Sequence, residues 1–325
     1  MGDFIKKESE SLINTCLEIP RDYFNVQEER VLDLMKKNKI KNAYMQNGLL
    51  FEALYEFKYA LIKGEALSIG AYGKTGERVS NDIDILIPRK SLTEIEQLFE
   101  HYGFKSTIQS REDKILMLSA SHQISPVIKD VPPYGTLSID INFDVFWGEY
   151  QGKRIDIEDF LSDFVEVNIY GCKIKTLNLL KSMVQLILHH YKEMNSIYHL
   201  AGHNCIKYSM FKDVYFLWKN NEDEISLEEL YHVSSRYEII PYVYYILYYT
   251  NMIFNDDRLK VYIDKFETKE GVELLECYGL NENERKYWKV DFQTRLNTED
   301  LYGLIKNDLT QADIEKLERN CRIFG

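Results

Sequence analysis

The spacing of apolar residues changes several times along the chain, and each change predicts an element. An Asn25–Glu28 N-cap pair, followed by Val31, Leu32, Leu34 and Met35 at helical spacing, predicts a helix starting near Asn25. A second helix is expected over about 43–56. The short apolar run 57–62 stops at Lys63-Gly64 and reads as a buried strand ending in a turn, with a short helix over Glu65 to Tyr72. Asp82 to Ile87 alternates in strand fashion and stops at Pro88, and Ser91 with Glu94 predicts a capped helix ending near Tyr102-Gly103. Residues 104–120 read as two strands, Leu137 to Phe146 as another, and Val165 to Ile174 as a hairpin turning at Tyr170-Gly171. After Thr176 the period becomes helical, over about 177–193, 207–220, 226–236 and 239–255. One more strand is expected at Lys289 to Arg295 and a last helix near 311–320.

This pattern implies an α+β chain: an N-terminal extension over 1–24, a small mixed β-sheet flanked by helices over 25–175, and a mainly helical domain over 176–325. A length of 325 residues fits about two domains. With 24 tyrosines and 16 phenylalanines the chain is too aromatic to be disordered throughout. The net charge of −12 disfavours binding to duplex nucleic acid, which calls for a basic footprint, and points to phosphate handling by a few placed cations or a divalent metal. Five cysteines (Cys16, Cys172, Cys205, Cys277, Cys321) contain no CxxC pair, which disfavours a zinc ribbon or disulfide scaffold and fits a reducing cytoplasm. Met1 to Lys7 lacks a signal-peptide core. The most apolar run, Ile239 to Phe254, is too short to span a bilayer and reads as a buried helix. No membrane partner is expected.

The chemistry concentrates in two strands. Asp82 and Asp84 alternate with Ile83, so both carboxylates face one side. Side-by-side carboxylates repel unless a hard divalent cation lies between them. On the later strand Asp140, Asn142 and Asp144 share the face opposite Ile139, Ile141 and Phe143. Pairing the two strands would bring Asp140 beside Asp82 and Asp84, and three acids can hold two metals for an in-line displacement at phosphorus.

The segment upstream sharpens this. Ala60-Leu61-Ile62-Lys63-Gly64-Glu65-Ala66-Leu67, then Tyr72, Arg78 and Asn81-Asp82-Ile83-Asp84-Ile85-Leu86-Ile87, resembles the LLKG-x-A-L … Y … R … D-I-D-L-L-V signature of a bacterial nucleotidyltransferase-like family. That family belongs to the polymerase-beta-like nucleotidyltransferase superfamily, and many members lie near natural-product biosynthesis genes. Tyr102-Gly103-Phe104, Ser138 to Phe143, the helix with His189-His190-Tyr191-Lys192, and Lys212-Asp213 resemble later motifs, so the likeness covers about residues 25–250. The resemblance implies a nucleotidyltransferase core and an enzyme that uses an NTP with Mg²⁺ or Mn²⁺. It implies transfer of NMP to a small-molecule or peptide acceptor, with pyrophosphate released. Asp82, Asp84 and Asp140 would be catalytic and metal-binding, with Asp140 assisting deprotonation of the acceptor. Lys63, Gly64, Arg78, His189 and Lys192 would contact nucleotide; a Lys-Gly turn opening a helix offers free N–H groups, and arginine can grip two phosphate oxygens. The family often has His where this chain has Asn142, so any role of that His is lost or changed here.

Other signals are weaker. Gly70 to Thr75 lacks the spacing of a P-loop. His199, His203 and Cys205 offer zinc-ligand types without the glutamate of an HExxH motif. Tyrosines from Tyr242 to Tyr249 lie at core spacing. Two competing functions are a catalytically silent nucleotide- or peptide-binding module, for which Asn142 speaks, and a toxin-like enzyme modifying tRNA or protein. The base of the NTP, the acceptor and the oligomeric state are not encoded in any motif.

Overall fold

The computed structural model describes residues 21–108, 110–147, 155–202 and 206–324. Helices α1 (Arg21–Gln46) and α2 (Gly48–Leu54) lead into β1 (Ala60–Ile62), α3 (Gly64–Tyr72), β2 (Asp82–Leu86), α4 (Leu92–His101), β3 (Lys105–Ser106) and α5 (Arg111–Ala120). Then come β4 (Val127–Asp130), β5 (Thr136–Asn142), α6 (Ile157–Phe160), β6 (Val165–Ile169) and β7 (Cys172–Thr176). The second half is helical: α7 (Leu179–Asn195), α8 (Ile197–Ala201), α9 (Tyr208–Lys219), α10 (Leu227–Arg236), α11 (Ile240–Phe254), α12 (Asp257–Phe266) and α13 (Lys269–Leu275). A ribbon of β8 (Cys277–Tyr278) and β9 (Lys286–Tyr287) follows, then α14 (Phe292–Asn297), α15 (Leu301–Ile305) and α16 (Gln311–Phe324).

Seven strands form one mixed sheet in the order β3-β4-β5-β2-β1-β7-β6. At its centre β2 runs parallel to β5, with Asp84 opposite Asp140, and antiparallel to β1, with Ile62 opposite Asp84. Because side chains alternate across a strand, the sheet separates two chemistries. Ile83, Ile85, Ile139 and Ile141 pack against Ile40, Phe51, Ile95 and Phe99 in one core. On the opposite face, Ile62 and Leu86 join the second core, built largely from α7, α9 and α11. The acids of β2 and β5 lie on this second face, between the sheet and the helical half. The β6–β7 hairpin turns at Tyr170 and Gly171, both left-handed (φ 50° and 92°), as a type I′ turn requires.

Several expectations need correction. The first helix already runs at Arg21, so Asn25 lies inside it, and Val31, Leu32, Leu34 and Met35 are exposed rather than core. The second helix is interrupted at Asn47, whose amide donates to the Ala43 carbonyl at 2.8 Å. Ser91 does not cap α4 with its side chain; a 3₁₀ turn over Arg89–Ser91 leads in instead. Residues 104–120 hold one two-residue strand and α5, because Ser110 accepts from the Asp113 N–H at 3.0 Å and so caps a helix there. The strand expected at 289–295 gives way to α14, capped by Asp291 accepting from the Thr294 N–H at 2.8 Å. Beyond Asn142 the expected strand ends, and Asp144 accepts from the Val145 and Phe146 N–H groups, so it does not join the acid face. Residues 1–20, with Cys16, and also His203 and Cys205, lie outside the described residues. Among the described residues no helix is long and apolar enough to cross a membrane.

Candidate active site

A cavity of about 510 Å³ opens between the acid face of the sheet and the helical half. Asp82, Asp84 and Asp140 form one wall, with Lys63 and Arg78 at the side and His122, His189 and Lys192 across from them. The far end is built by α8, the β8–β9 connection and α16, through residues such as His199, Asn281 and Asn320.

Lys63 sits where β1 turns into α3. Its backbone is left-handed (φ 55°, ψ −150°), a conformation that costs a non-glycine residue roughly 1–3 kcal/mol. Gly64 follows at φ 42°, so two residues in succession with positive φ make the turn. An added Cβ at Gly64 would approach nothing closer than 3.7 Å, so the glycine serves the backbone conformation rather than clearance. It is buried behind Lys63 and does not line the cavity. The Lys63 ammonium lies 2.6 Å from Asp84 Oδ1. Burial works against the lysine charge, and Asp84 more than offsets it, so Lys63 stays protonated above its usual range.

Asp84 is 4% exposed. Burial pushes its carboxyl up, against the pull of Lys63, and Asp82 pushes it further. Asp140 is raised to about 7 by burial, then by the charges of Asp84 and Asp82. Asp82 accepts from the Ser80 hydroxyl at 3.0 Å. Three acids thus share one face with Lys63 as the cation in direct contact. That surplus of negative charge on oxygen ligands fits a hard divalent cation. Asn142 is buried behind the cluster, its amide 3.5 Å from Asp84 Oδ1 and 3.3 Å from the Ile85 carbonyl, and it does not line the cavity.

Arg78 is placed by contacts that the sequence does not signal. Ser68, fully buried on α3, accepts from the Glu77 N–H at 2.9 Å and the Arg78 N–H at 3.2 Å, and donates to the Lys74 carbonyl. One turn earlier, Glu65 accepts from the Gly76 N–H and the Tyr170 hydroxyl. The loop 73–78 is therefore tied to one face of α3. Asp213 of α9 then holds the Arg78 Nε at 2.8 Å and the Tyr72 hydroxyl at 2.6 Å. Arg78 both makes this ion pair and lines the cavity. Lys74 instead pairs with Glu77 at the surface, in keeping with rejection of a P-loop.

Across the cavity, Lys192 Nζ is 3.0 Å from His122 Nε2. Burial lowers Lys192 to about 8 and drives His122 well below the imidazole range, so His122 is neutral. His189 is also driven low by burial and contacts Glu193 at 3.3 Å. His122, Ser68, Glu65 and Asp213 were not singled out by the sequence as site residues. Tyr242, Tyr244, Tyr245 and Tyr249 of α11 are core, Tyr248 packs half-buried against it, and none of them lines the cavity.

An acid pair in register across parallel strands, with a lysine turn and an arginine loop beside it, defines the class as nucleotidyltransferase-like. The chain belongs to the family described as uncharacterised nucleotidyltransferase, whose pattern it matches over residues 34–255. Among solved structures it is similar to an antigenic nucleotidyltransferase-like protein from Paracoccidioides brasiliensis, at 16% identity and a TM-score of 0.35, covering 63% of this chain and 92% of that one. It is also similar to the lincosamide antibiotic adenylyltransferase LnuA in its lincomycin-bound form, at 19% identity and a TM-score of 0.33, covering 57% and 96%. The antibiotic-resistance factor ANT(2'')-Ia is similar at 12% identity and a TM-score of 0.35, covering 61% and 94%. No curated protein matches the chain.

Proposed function

We propose that the protein transfers a nucleoside monophosphate from an NTP to a hydroxyl, or another nucleophile, of a small-molecule or peptide acceptor. The observation that carries this reading is the register of Asp84 against Asp140, with Lys63 2.6 Å from Asp84, on the wall of a 510 Å³ cavity. The acceptor oxygen bonds to the α-phosphorus, the bond from that phosphorus to the bridging oxygen breaks, and pyrophosphate leaves.

Asp82, Asp84 and Asp140 would hold Mg²⁺ or Mn²⁺, which when bound supplies charge neutralisation to the triphosphate. The chain's own residues do the rest. Lys63 and Arg78 draw phosphate oxygens to the acid wall. Lys192 and His189 face them across the cavity. Asp140 takes the acceptor proton. Gly64 permits the turn that aims Lys63. Asp213 and Ser68 set the position of Arg78. Phosphoryl-group transfer needs mainly positioning and charge stabilisation, and this wall is built for both.

The test is pyrophosphate release with each of the four NTPs and Mg²⁺, paired with a binding titration, on wild type and Asp84→Asn. Metal-dependent turnover of one NTP that vanishes in Asp84→Asn supports the reading. Binding without turnover across an acceptor screen would favour the silent binding module instead. No binding of any NTP would overturn the transfer reading and leave only the peptide-binding form of the silent module.

A further inference from the structure

A second group of ligand-type side chains lies on α7, away from the carboxylate wall. A helix advances about 100° per residue, so position i+4 projects between i and i+1. Glu193 accordingly lies between His189 and His190. Its Oε1 is 3.3 Å from His189 Nε2, and its Oε2 is 3.6 Å from His190 Nδ1. One donor atom from each of the three lies within 4.8 Å of the others.

The 3.3 Å contact of Glu193 with His189 accounts for part of this arrangement, but not for His190. His190 is only 3% exposed, and among the described residues neither of its ring nitrogens has a hydrogen-bond partner, Glu193 at 3.6 Å being the near contact. A buried imidazole left unpaired is destabilising. His189 and Glu193 line the cavity, so the cluster is reached from it.

We propose that His189, His190 and Glu193 form a binding site for a zinc-class divalent cation, with its remaining coordination open to the cavity. Two imidazoles and one carboxylate are a zinc donor set, whereas Mg²⁺ selects oxygen ligands such as those of the acid wall. Tetrahedral zinc with bonds of about 2.0–2.1 Å spaces its ligands about 3.3 Å apart; the 3.3 Å and 3.6 Å contacts use different oxygens of Glu193 and the donor set spans up to 4.8 Å, so the three side chains would draw together on binding the ion. Nearby cations do not forbid the ion. Lys63 is paired with Asp84, and Lys192 is turned to His122, 3.0 Å away. The site shares no ligand with the acid wall, although His189 and Glu193 line the same cavity.

The experiment is equilibrium dialysis of the full chain against micromolar ZnCl₂ with millimolar MgCl₂ present and no nucleotide, followed by metal analysis. One zinc per chain is expected in wild type and in Asp84→Asn. Zinc affinity should fall by at least about 10–100-fold in His189→Ala and Glu193→Gln. His190→Ala should behave alike, and His189→Ala, at the cavity wall, covers the case in which the buried substitution disturbs folding. Co²⁺ in wild type should give the visible bands of a four-coordinate nitrogen and oxygen site. Substoichiometric zinc in wild type, a thiolate charge-transfer band, zinc retained in His189→Ala, or zinc lost in Asp84→Asn would each overturn the assignment.

Discussion

The Lys63 ammonium lies 2.6 Å from Asp84 Oδ1, although the lysine sits in the turn after β1, the acid on β2, and the lysine has a positive φ of 55°. The pair is unequal. Asp84 has two further acids beside it, while Lys63 is the cation in contact with the cluster.

Removing each partner should therefore have unequal structural cost. Lys63→Met leaves buried acids uncompensated and should destabilise the fold by about 3 kcal/mol. Asp84→Asn relieves repulsion and should stay within about 1 kcal/mol of wild type. Both should lower turnover at least about a hundredfold. Urea unfolding of the two variants and their double mutant measures the stability side, and a Lys63→Met protein as stable as wild type would refute it.

Asp213 joins Arg78 to Tyr72. Asp213→Asn should cost about 1.5–3 kcal/mol, the range for hydrogen bonds to charged groups. It should raise the KM for NTP more than Tyr72→Phe does, because Tyr72→Phe leaves the Arg78 contact in place. Steady-state kinetics of both variants decides between this and a purely structural role.

Ser68 is the anchor of the 73–78 loop. Ser68→Ala should destabilise by about 1–3 kcal/mol by leaving buried polar groups unpaired. Amide hydrogen exchange at Glu77 and Arg78 should accelerate, while amides of β2 stay protected. Unchanged exchange at those two amides would show that other contacts hold the loop.

Asp256 caps α12 by accepting from the Arg258 N–H, and its other oxygen accepts from the Tyr215 hydroxyl. Some burial opposes its charge, but Arg258 and these hydrogen bonds lower its pKa to about 2. A depressed folded-state pKa contributes stability that is present above the unfolded value, near 4, and is lost as pH falls toward 2. Asp256→Asn should thus be less stable than wild type by about 0.5–2 kcal/mol at pH 7, with the gap closing on acidification through that window. Thermal melts of both proteins from neutral pH to about pH 2 follow the convergence.

Much of the architecture was legible because its signals are local. Alternation over Asp82 to Ile87 sets which side chains share a face, and a shift by one residue would exchange Ile83 and Ile85 with the acids. The helices of the second half were legible for the same reason, since their 3.6-residue period is carried within each segment. Local signals failed where a polar cap competes with an apolar pattern, as at Ser110 and Asp291, which start helices where strands were expected.

By itself, then, the sequence determined the α+β class, the alternating acids and the Lys-Gly turn, and it carried the family resemblance. The tertiary structure alone decided which distant groups meet. Asp84 faces Asp140 through a parallel register, Arg78 reaches Asp213 across 135 residues, and Lys192 meets His122 across 70. It also left Asp144 on its own turn and enclosed both nitrogens of His190 with no hydrogen-bond partner among the described residues. The reason is physical. Periodicity and caps depend on neighbours in the chain, whereas strand order, burial and the pKa shifts that follow from them depend on how whole elements pack.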